Sequence, residues 1–268
     1  MTPVASFDPA PGGFRFTLRY LPPDSAEKCG VVILAPPFAE EMNRCRRMTA
    51  LAARRLAYAG WTVIVRDLLG CGDSSGDFGD ASWQAWQEDL RCLVAEVPAG
   101  APLWLWGSRA GALLVPAMLD VRADAHVVFW QPLPAGKTAL AQFLRLKTVS
   151  ASIAGSARVD AGALRAILKQ GQPVEIAGYS LSPMVAHGLG AAQLTLPPDF
   201  TGRVLWLEVC AGQPASLAPA GEALRADWLA RAIRFDARAV VGEQFWQTQE
   251  TSECPALIDI MLDLMVTS

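Results

Sequence analysis

Residues 103–119 read Leu-Trp-Leu-Trp-Gly-Ser-Arg-Ala-Gly-Ala-Leu-Leu-Val-Pro-Ala-Met-Leu, and this stretch indicates the fold. Its first part is a short apolar run typical of a buried strand, and its last part is typical of an apolar helix. Gly107 and Gly111 flank Arg109 at equal spacing. A strand that turns sharply into a helix brings backbone segments together, so the flanking positions must be small and the central residue is strained. The sequence therefore predicts a tight strand–turn–helix centred on Arg109.

Short β-rich runs alternate with helical patterns along most of the chain, which favours an α/β fold with a mostly parallel sheet and helices on both faces. This alternation breaks between residues 133 and 200, where Gly and Ser interrupt short helical pieces. We therefore expect a core formed by residues 1–132 and 201–268, with residues 133–200 inserted as a helical cap. The predicted strands are 30–35, 61–66, 102–106, 126–130, 203–209 and 233–241, and the predicted helices are 42–59, 82–97, 112–119, 221–231 and 253–265.

The composition narrows the classes of function. The chain has 268 residues with 23 basic and 26 acidic side chains, a balance that gives no electrostatic reason to expect nucleic acid as a partner. No apolar run approaches the roughly 18–20 residues that span a bilayer, and residues 1–13 lack the pattern of a signal peptide, so we expect a cytoplasmic protein without a membrane span. The six cysteines have no C-x-x-C spacing, which predicts buried thiols in a reducing compartment and no metal site. The glycine-rich stretch 70–76 has the wrong spacing for a dinucleotide loop, and we expect no cofactor.

The turn at residues 107–111 has the form G-x-Nu-x-G, in which the central residue serves as a nucleophile. Here the central residue is Arg109, and a guanidinium cannot attack an acyl group because it has no accessible neutral form. Ser108 lies one position too early. A register centred on Ser108 would put Trp106 at a flank that tolerates only small residues, so Ser108 is interpreted as a linker in the turn.

Four segments of the chain resemble α/β-hydrolases, and specifically the exosortase A system-associated hydrolase 2 family. The resemblance implies an α/β-hydrolase fold with a helical cap, in a bacterial system that processes PEP-CTERM proteins and lies beside exopolysaccharide genes. It is carried by residues 36–48 (PPFAEEMNRCRRM), 67–80 (DLLGCGDSSGDFGD), 83–89 (WQAWQED) and 105–111 (LWGSRAG), with weaker matches at 177–181 and 245–250.

The resemblance also implies where a catalytic triad would lie, and all three positions depart from the pattern. The nucleophile position is Arg109. The loop after the last strand, 241–246, contains no His for a base, and residues 210–219 after the preceding strand contain no carboxylate for an acid. The two histidines lie elsewhere: His126 begins a predicted strand and is interpreted as structural, whereas His187 lies in the cap, where it could reach a pocket.

The remaining framework predicts a pocket that can hold an anion. By the resemblance, backbone donors of an oxyanion hole would come from Ala110 and from near Phe38, and the positive end of the helix beginning at Gly111 would point at the same spot. Arg109 adds a full positive charge, for which a bound anion is the natural complement. Alternatively, Glu40 or Glu41 neutralises Arg109 in an internal ion pair.

Three functions follow as hypotheses. The first is non-catalytic binding of an anionic small molecule, such as a lipid-linked or glycosyl intermediate of exopolysaccharide metabolism. The second is an active esterase-like or thioesterase-like hydrolase with non-standard groups, its water activated by Glu40, Glu41 or Asp77. The third is an interaction subunit that contacts the companion exosortase-associated hydrolase through its apolar cap or through the arginine-rich face of helix 42–59.

Overall fold

The structure is a computed structural model that describes residues 2–153, 160–248 and 250–266. Its strands are β1 (Val4–Ala10), β2 (Gly13–Tyr20), β3 (Gly30–Ala35), β4 (Trp61–Arg66), β5 (Leu103–Ser108), β6 (His126–Trp130), β7 (Val174–Ile176), β8 (Tyr179–Leu181), β9 (Arg203–Cys210) and β10 (Arg234–Val241). Its α-helices are α1 (Ala39–Tyr58), α2 (Trp83–Ala95), α3 (Val115–Leu119), α4 (Gly136–Ile153), α5 (Ala161–Lys169), α6 (Pro183–Ala191), α7 (Pro219–Ala230) and α8 (Pro255–Val266). Short 3-10 helices cover Phe78–Asp80 and Arg109–Leu114.

Eight strands form one sheet in the order β1-β2-β4-β3-β5-β6-β9-β10. β1 and β2 pair antiparallel to each other, and β2 pairs antiparallel to β4. The other neighbours pair parallel. The strand order places β5 near the centre of the sheet, and the parallel pairing places its carboxyl end beside those of β3 and β6. The predicted mostly parallel sheet covered by helices is therefore confirmed.

The alternation of side chains along β5 divides the core into two layers. Leu103 and Leu105 belong to a cluster that includes residues of α2 and α3. Trp104 and Trp106 belong to the cluster on the other face, with residues of α1 and α8. Every residue of β5 is buried, which explains why this strand reads as a continuous apolar run.

Two predicted helices begin differently in the structure. α1 begins at Ala39, three residues before its apolar periodicity becomes visible, and Glu40 and Glu41 lie in its first turn, where acidic side chains favour a helix start. The predicted helix 112–119 is a 3-10 helix from Arg109 to Leu114 before it becomes α-helical at Val115. Pro116 lies in the first turn of that α-helix, a position suited to a residue without a backbone N–H.

The sequence patterns missed the hairpin of β1 and β2, because β1 is an edge strand whose residues are exposed or half-buried and carry no apolar run. They also missed the short antiparallel hairpin of β7 and β8. This hairpin lies with α4, α5 and α6 in the segment predicted as the cap, between β6 and β9. Residues 154–159 of that segment lie outside the described part of the chain.

Polar and close steric contacts attach the predicted cap to the rest of the molecule. The hydroxyl of Ser182 donates to the carbonyl of Ala81 at 2.7 Å and accepts the N–H of Val185 at 3.1 Å, which caps α6. Gly188 approaches α2 so closely that a Cβ there would lie 2.2 Å from Cβ of Trp83. These contacts hold α6 against the start of α2.

Other expectations concern cysteines, metals and membranes. All six cysteines are free thiols; Cys45, Cys71 and Cys254 are buried, but the prediction of burial is wrong for Cys29 and Cys210, which are half-buried, and for Cys92, which is exposed on α2. Within the described ranges, no group of three or more His, Cys, Asp or Glu side chains is arranged to hold a metal ion. No described helix combines the length and the apolar character needed to cross a bilayer.

Candidate functional site

The turn after β5 has the strained geometry that its glycines predict. Arg109 has φ of 52°, in the left-handed region that side chains other than glycine rarely adopt. A Cβ on Gly107 would lie 2.7 Å from the Cα of Ala112, and a Cβ on Gly111 would lie 2.3 Å from the carbonyl oxygens of Ala35 and Pro36. The two glycines therefore allow β3 and the helix after β5 to pack against the turn, and Arg109 is presented at its apex.

The guanidinium of Arg109 binds partners from four parts of the chain. Its Nε lies 3.2 Å from both carboxylate oxygens of Glu41, and its Nη2 lies 2.8 Å from one of them. Nη1 donates to the carbonyl of Gln131 at 3.0 Å, and Nη2 also donates to the side-chain oxygen of Gln142 at 3.4 Å. The ring of Trp246 covers the cation, with its centroid 4.9 Å from the guanidinium carbon. The arginine side chain is only 7% exposed.

A cavity of about 990 Å³ adjoins this ion pair. Its walls come from the turn, the start of α1, the residues after β6, helix α4, the end of β9 and the loop after β10. Apolar side chains form much of the surface: Phe38, Leu133, Ala139, Phe143, Leu146, Val149, Trp206 and Trp246. Six charged residues also line it: Glu40, Glu41, Arg44, Arg109, Arg145 and Glu208. The cavity is therefore an apolar pocket with a small number of charged groups, as is common for small-molecule sites.

The structure brings five of the six predicted site residues to this cavity: Phe38, Glu40, Glu41, Arg109 and Ala110. Of the two candidate carboxylates, Glu41 pairs with Arg109, whereas Glu40 lies 3.6 Å from Arg44. The predicted contribution of a helix N-terminus is limited, because the turn continues as a 3-10 helix and α3 has five residues.

Asp77 and the two histidines lie apart from the cavity. Asp77 precedes the 3-10 helix Phe78–Asp80, and its backbone N–H donates to the carboxylate of Asp80 at 2.8 Å. His126 has the structural role expected from the sequence, since its Nδ1 accepts the backbone N–H of Arg203 at 3.0 Å. His187 is exposed on α6 and does not line the cavity.

Three side chains of the site were missed by the sequence reasoning. Gln142 carries no local signal, and the weak match at 245–250 assigns no role to Trp246. Their contact with Arg109 depends on how α4 and the loop after β10 fold over the turn. Glu208 has a signal: it is the one acidic residue in the apolar strand β9, where charged side chains are rarely buried without a role. The resemblance implies an acid after this strand, at residues 210–219, whereas Glu208 lies within the strand.

A buried thiol beside the turn does not replace the missing nucleophile. Burial raises the pKa of Cys45 well above its usual range, and neighbouring Glu41 raises it further, although Arg109 and Ser108 act in the opposite direction. Because the thiolate is the nucleophilic form, Cys45 stays unreactive.

A scan of protein-family models and a search of curated proteins each found no match. Solved structures do match over nearly the whole chain. Est1E from Butyrivibrio proteoclasticus, solved with ferulic acid bound, has a TM-score of 0.64 at 13% identity and 98% coverage of both chains. A monoglyceride lipase from Saccharomyces cerevisiae, in complex with a substrate analogue, has a TM-score of 0.63 at 14% identity, with 99% of this chain and 94% of the lipase covered.

A lidless α/β serine hydrolase from Xanthomonas campestris is 19% identical, with a TM-score of 0.55 and coverage of 99% of this chain and 93% of that chain. At this level of identity the likeness concerns the fold. Together with the strand order and the turn after β5, it shows that this chain has the α/β-hydrolase fold.

Proposed function

We propose that this protein binds an anionic small molecule with an apolar portion in the cavity beside Arg109, without serine-hydrolase catalysis. The observation that carries the proposal is the identity of the side chain at the apex of the turn. Where this fold presents a nucleophile, the chain presents a guanidinium that adjoins an apolar cavity. A guanidinium recognises carboxylate and phosphate groups through paired hydrogen bonds and cannot form an acyl intermediate.

A ligand anion can bind Arg109 by replacing the Glu41 carboxylate in its ion pair. Glu41 makes paired contacts with Arg109 that a ligand carboxylate or phosphate would reproduce. The Glu41 side chain is 30% exposed, so it can turn toward water without being buried unpaired. Internal pairing and ligand binding then alternate at the same guanidinium, and Glu41 keeps the empty pocket electrically balanced.

The other walls define the rest of the ligand. Phe38, Phe143 and Trp246 give the cavity aromatic surface, and Leu146 and Val149 extend it along α4. Burial of hydrocarbon against these side chains contributes roughly 25 cal/mol per Å². The pocket thus favours an amphipathic anion over a small inorganic ion.

Titration calorimetry with dodecanoate and dodecyl phosphate tests the proposal. We expect both probes to bind the wild-type protein and to bind Arg109→Gln about tenfold more weakly or worse, since a charge-assisted pair contributes about 1.5–3 kcal/mol. Arg44→Gln is the matched control, because Arg44 lines the same cavity and pairs with Glu40. Equal weakening in the two variants, or no binding to the wild-type protein, would contradict the proposal.

The hydrolase alternative predicts a different result. Glu40 and Glu41 both line the cavity and would have to activate a water there, whereas Asp77 does not line it. A fluorophosphonate probe and a panel of activated esters and thioesters measure such activity. Turnover that disappears in Glu41→Gln would show that the protein is a hydrolase and would contradict a purely binding role.

We further propose that the protein acts in the cytoplasm beside an exosortase A system, in exopolysaccharide metabolism, and that it contacts the companion exosortase-associated hydrolase. Segments 36–48 and 67–80 support this proposal by their resemblance to the exosortase-associated family. On the arginine-rich face of α1, Arg47 pairs with Glu253 and Arg55 with Asp259, so this face already binds the C-terminal part of the chain. The cap is then the better contact surface. Measuring the mass of the mixed proteins as they elute tests whether they form a complex. Separate elution of the two proteins at micromolar concentration contradicts the proposed contact.

A further inference from the structure

Glu208 is a buried carboxylate in the wall of the same cavity. It lies two residues before the end of β9, it lines the cavity, and it is 4% exposed. No step of the proposed anion binding uses it. Burial of an ionised carboxylate is costly unless a cation or several hydrogen bonds compensate for the lost water.

The surrounding residues hold the Glu208 carboxylate in one orientation. Oε1 accepts the indole N–H of Trp206 at 2.5 Å, and Oε2 accepts the backbone N–H of Ala218 at 2.6 Å. Gly221, in the first turn of α7, packs directly on this pair, since a Cβ there would lie 2.6 Å from Oε1 and 2.8 Å from the indole nitrogen. Both oxygens accept hydrogen bonds, and a carboxylate has about four acceptor sites, so about two remain free for a ligand.

Glu208 differs from the other buried carboxylates of the described chain in lacking a cation. Asp89 lies 2.8 Å from Arg15, and Asp67 lies 3.2 Å from Arg46. Among the described residues, no Lys, Arg or His side chain has a nitrogen within 4.0 Å of a Glu208 carboxylate oxygen. Its negative charge is therefore oriented by two N–H donors, adjoins the cavity and has no counter-ion.

We propose that Glu208 binds a primary ammonium group of the ligand. This inference rests on the proposed binding function and narrows its ligand to an amphipathic molecule that carries both an anionic group for Arg109 and an amine for Glu208. The protonated amine supplies the missing positive charge and donates to the free acceptor sites of the carboxylate. The apolar side chains that line the same cavity then contact the hydrocarbon part of the molecule.

Two single-charge probes separate this inference from the binding function itself. Dodecanoate reports on Arg109, and dodecylammonium reports on Glu208, each by titration calorimetry. We expect Glu208→Gln to weaken dodecylammonium binding about tenfold or more while dodecanoate binding changes less than about threefold. Glu40→Gln is the matched control, because Glu40 lines the same cavity but is paired with Arg44. Failure of dodecanoate alone contradicts the anion site and leaves the ammonium site standing.

A measurement on the wild-type protein removes any dependence on how well the variant folds. A quaternary dodecyltrimethylammonium ion has the same charge but no N–H donor, so it should bind at least about tenfold more weakly than dodecylammonium. Equal affinity for the two cations overturns the proposal, as does equal loss in Glu208→Gln and Glu40→Gln. If Glu208 serves only to hold the start of α7, Glu208→Gln lowers stability without changing either affinity, which also overturns it.

Discussion

Arg109 combines a strained backbone with a side chain whose contacts are spread over four parts of the chain. A residue other than glycine with φ of 52° costs roughly 1–2 kcal/mol. Such a conformation persists where surrounding contacts hold it, and it occurs frequently at functional sites. Here the contacts are the ion pair with Glu41, the hydrogen bonds to Gln131 and Gln142, and the ring of Trp246.

The strain at this residue can be measured by comparing two variants that both lack the guanidinium. Arg109→Gly should be more stable than Arg109→Ala by about 1 kcal/mol, because glycine adopts the left-handed region without a Cβ clash. Urea unfolding measures the difference. At Ala112, which lies in the same 3-10 helix but has an ordinary φ, glycine should instead destabilise the protein by roughly 0.5–1 kcal/mol. An equally destabilising glycine at residue 109 would show that the turn is not strained.

His126 lies at the start of β6, at the edge of the sheet opposite the turn after β5. We expect this residue to make the stability of the fold depend on pH. Burial lowers its pKa from the ordinary value of 6.5, and Arg234 and Arg203 lower it further. The unfolded chain then binds the proton more readily, so stability is complete above pH 6.5 and is lost as the pH falls toward the lower pKa of the folded state. We expect a loss of up to about 1.4 kcal/mol per pH unit in unfolding experiments from pH 6.5 downward.

The second histidine provides the control for this prediction. His126→Gln should abolish the pH dependence between pH 6.5 and 5.5, whereas His187→Gln, which changes an exposed residue of α6, should keep it. The same slope in both variants would assign the proton to another group.

At the scale of elements, close approach at Gly111 joins the turn after β5 to the end of β3. A Cβ there would meet backbone oxygens, which cannot move aside as a flexible side chain can. Gly111→Ala should therefore lower the free energy of unfolding by about 1–3 kcal/mol or more, the usual cost of overpacking. Gly212→Ala is the matched control, since among the described residues, apart from its own chain neighbours, no atom lies within 4 Å of the position of its added Cβ. Equal denaturant midpoints for the two variants would show that β3 has room to shift.

Elements of the core could be predicted from the sequence because buried parallel strands read as apolar runs, as Trp61–Arg66 and His126–Trp130 do. The turn could be predicted because a sharp turn from strand to helix has no space for a Cβ at Gly107 or Gly111. The edge strand β1 could not, since it buries too little to show a pattern. The departure from the triad pattern at Arg109, 210–219 and 241–246 follows from the resemblance and stays a prediction.

The polar contacts of the site could be predicted only in part. The sequence offered an ion pair of Arg109 with Glu40 or Glu41 as the alternative to a bound anion. These two residues are adjacent, and only the phase and tilt of α1 decide which of them reaches the guanidinium. Contacts from Gln142 and Trp246 depend on the path of segments far away in the chain.

At the scale of the whole molecule, a charge cluster joins the edge strand β1 to β2 and β4 of the same sheet. Asp8 on β1 binds Arg19 on β2 at 3.0 Å and Arg66 on β4 at 2.7 Å. Burial would raise the pKa of Asp8, but hydrogen bonds from Arg19, Ser6, Thr17 and Arg66 together hold it well below its ordinary value of 3.8. A lowered carboxyl pKa stabilises the fold above the unfolded value, and this contribution is lost as the pH falls below it.

Asp8→Asn should therefore reduce stability at neutral pH by about 1 kcal/mol, a value that allows for solvent screening at a partly exposed site. The variant should also lose less stability than the wild-type protein when the pH falls from 4 to 2. A carboxyl group with a lowered pKa loses its contribution to stability over a range of about this width. Urea unfolding across this interval measures both effects. Asp24→Asn, at an exposed turn residue, should change neither. Parallel pH curves for Asp8→Asn and the wild-type protein would contradict the role of this cluster.

The spread of the Arg109 contacts along the chain has a consequence for the order in which the protein forms. The guanidinium meets residues 41, 131, 142 and 246, so a nascent chain emerging from the ribosome can pair the arginine with Glu41 long before the indole of Trp246 has been synthesised. Contacts between distant parts of a chain form slowly because the loop between them must first close. The cavity is therefore among the last features to be completed, and chains truncated before Trp246 would lack both the ring that covers Arg109 and helix α8.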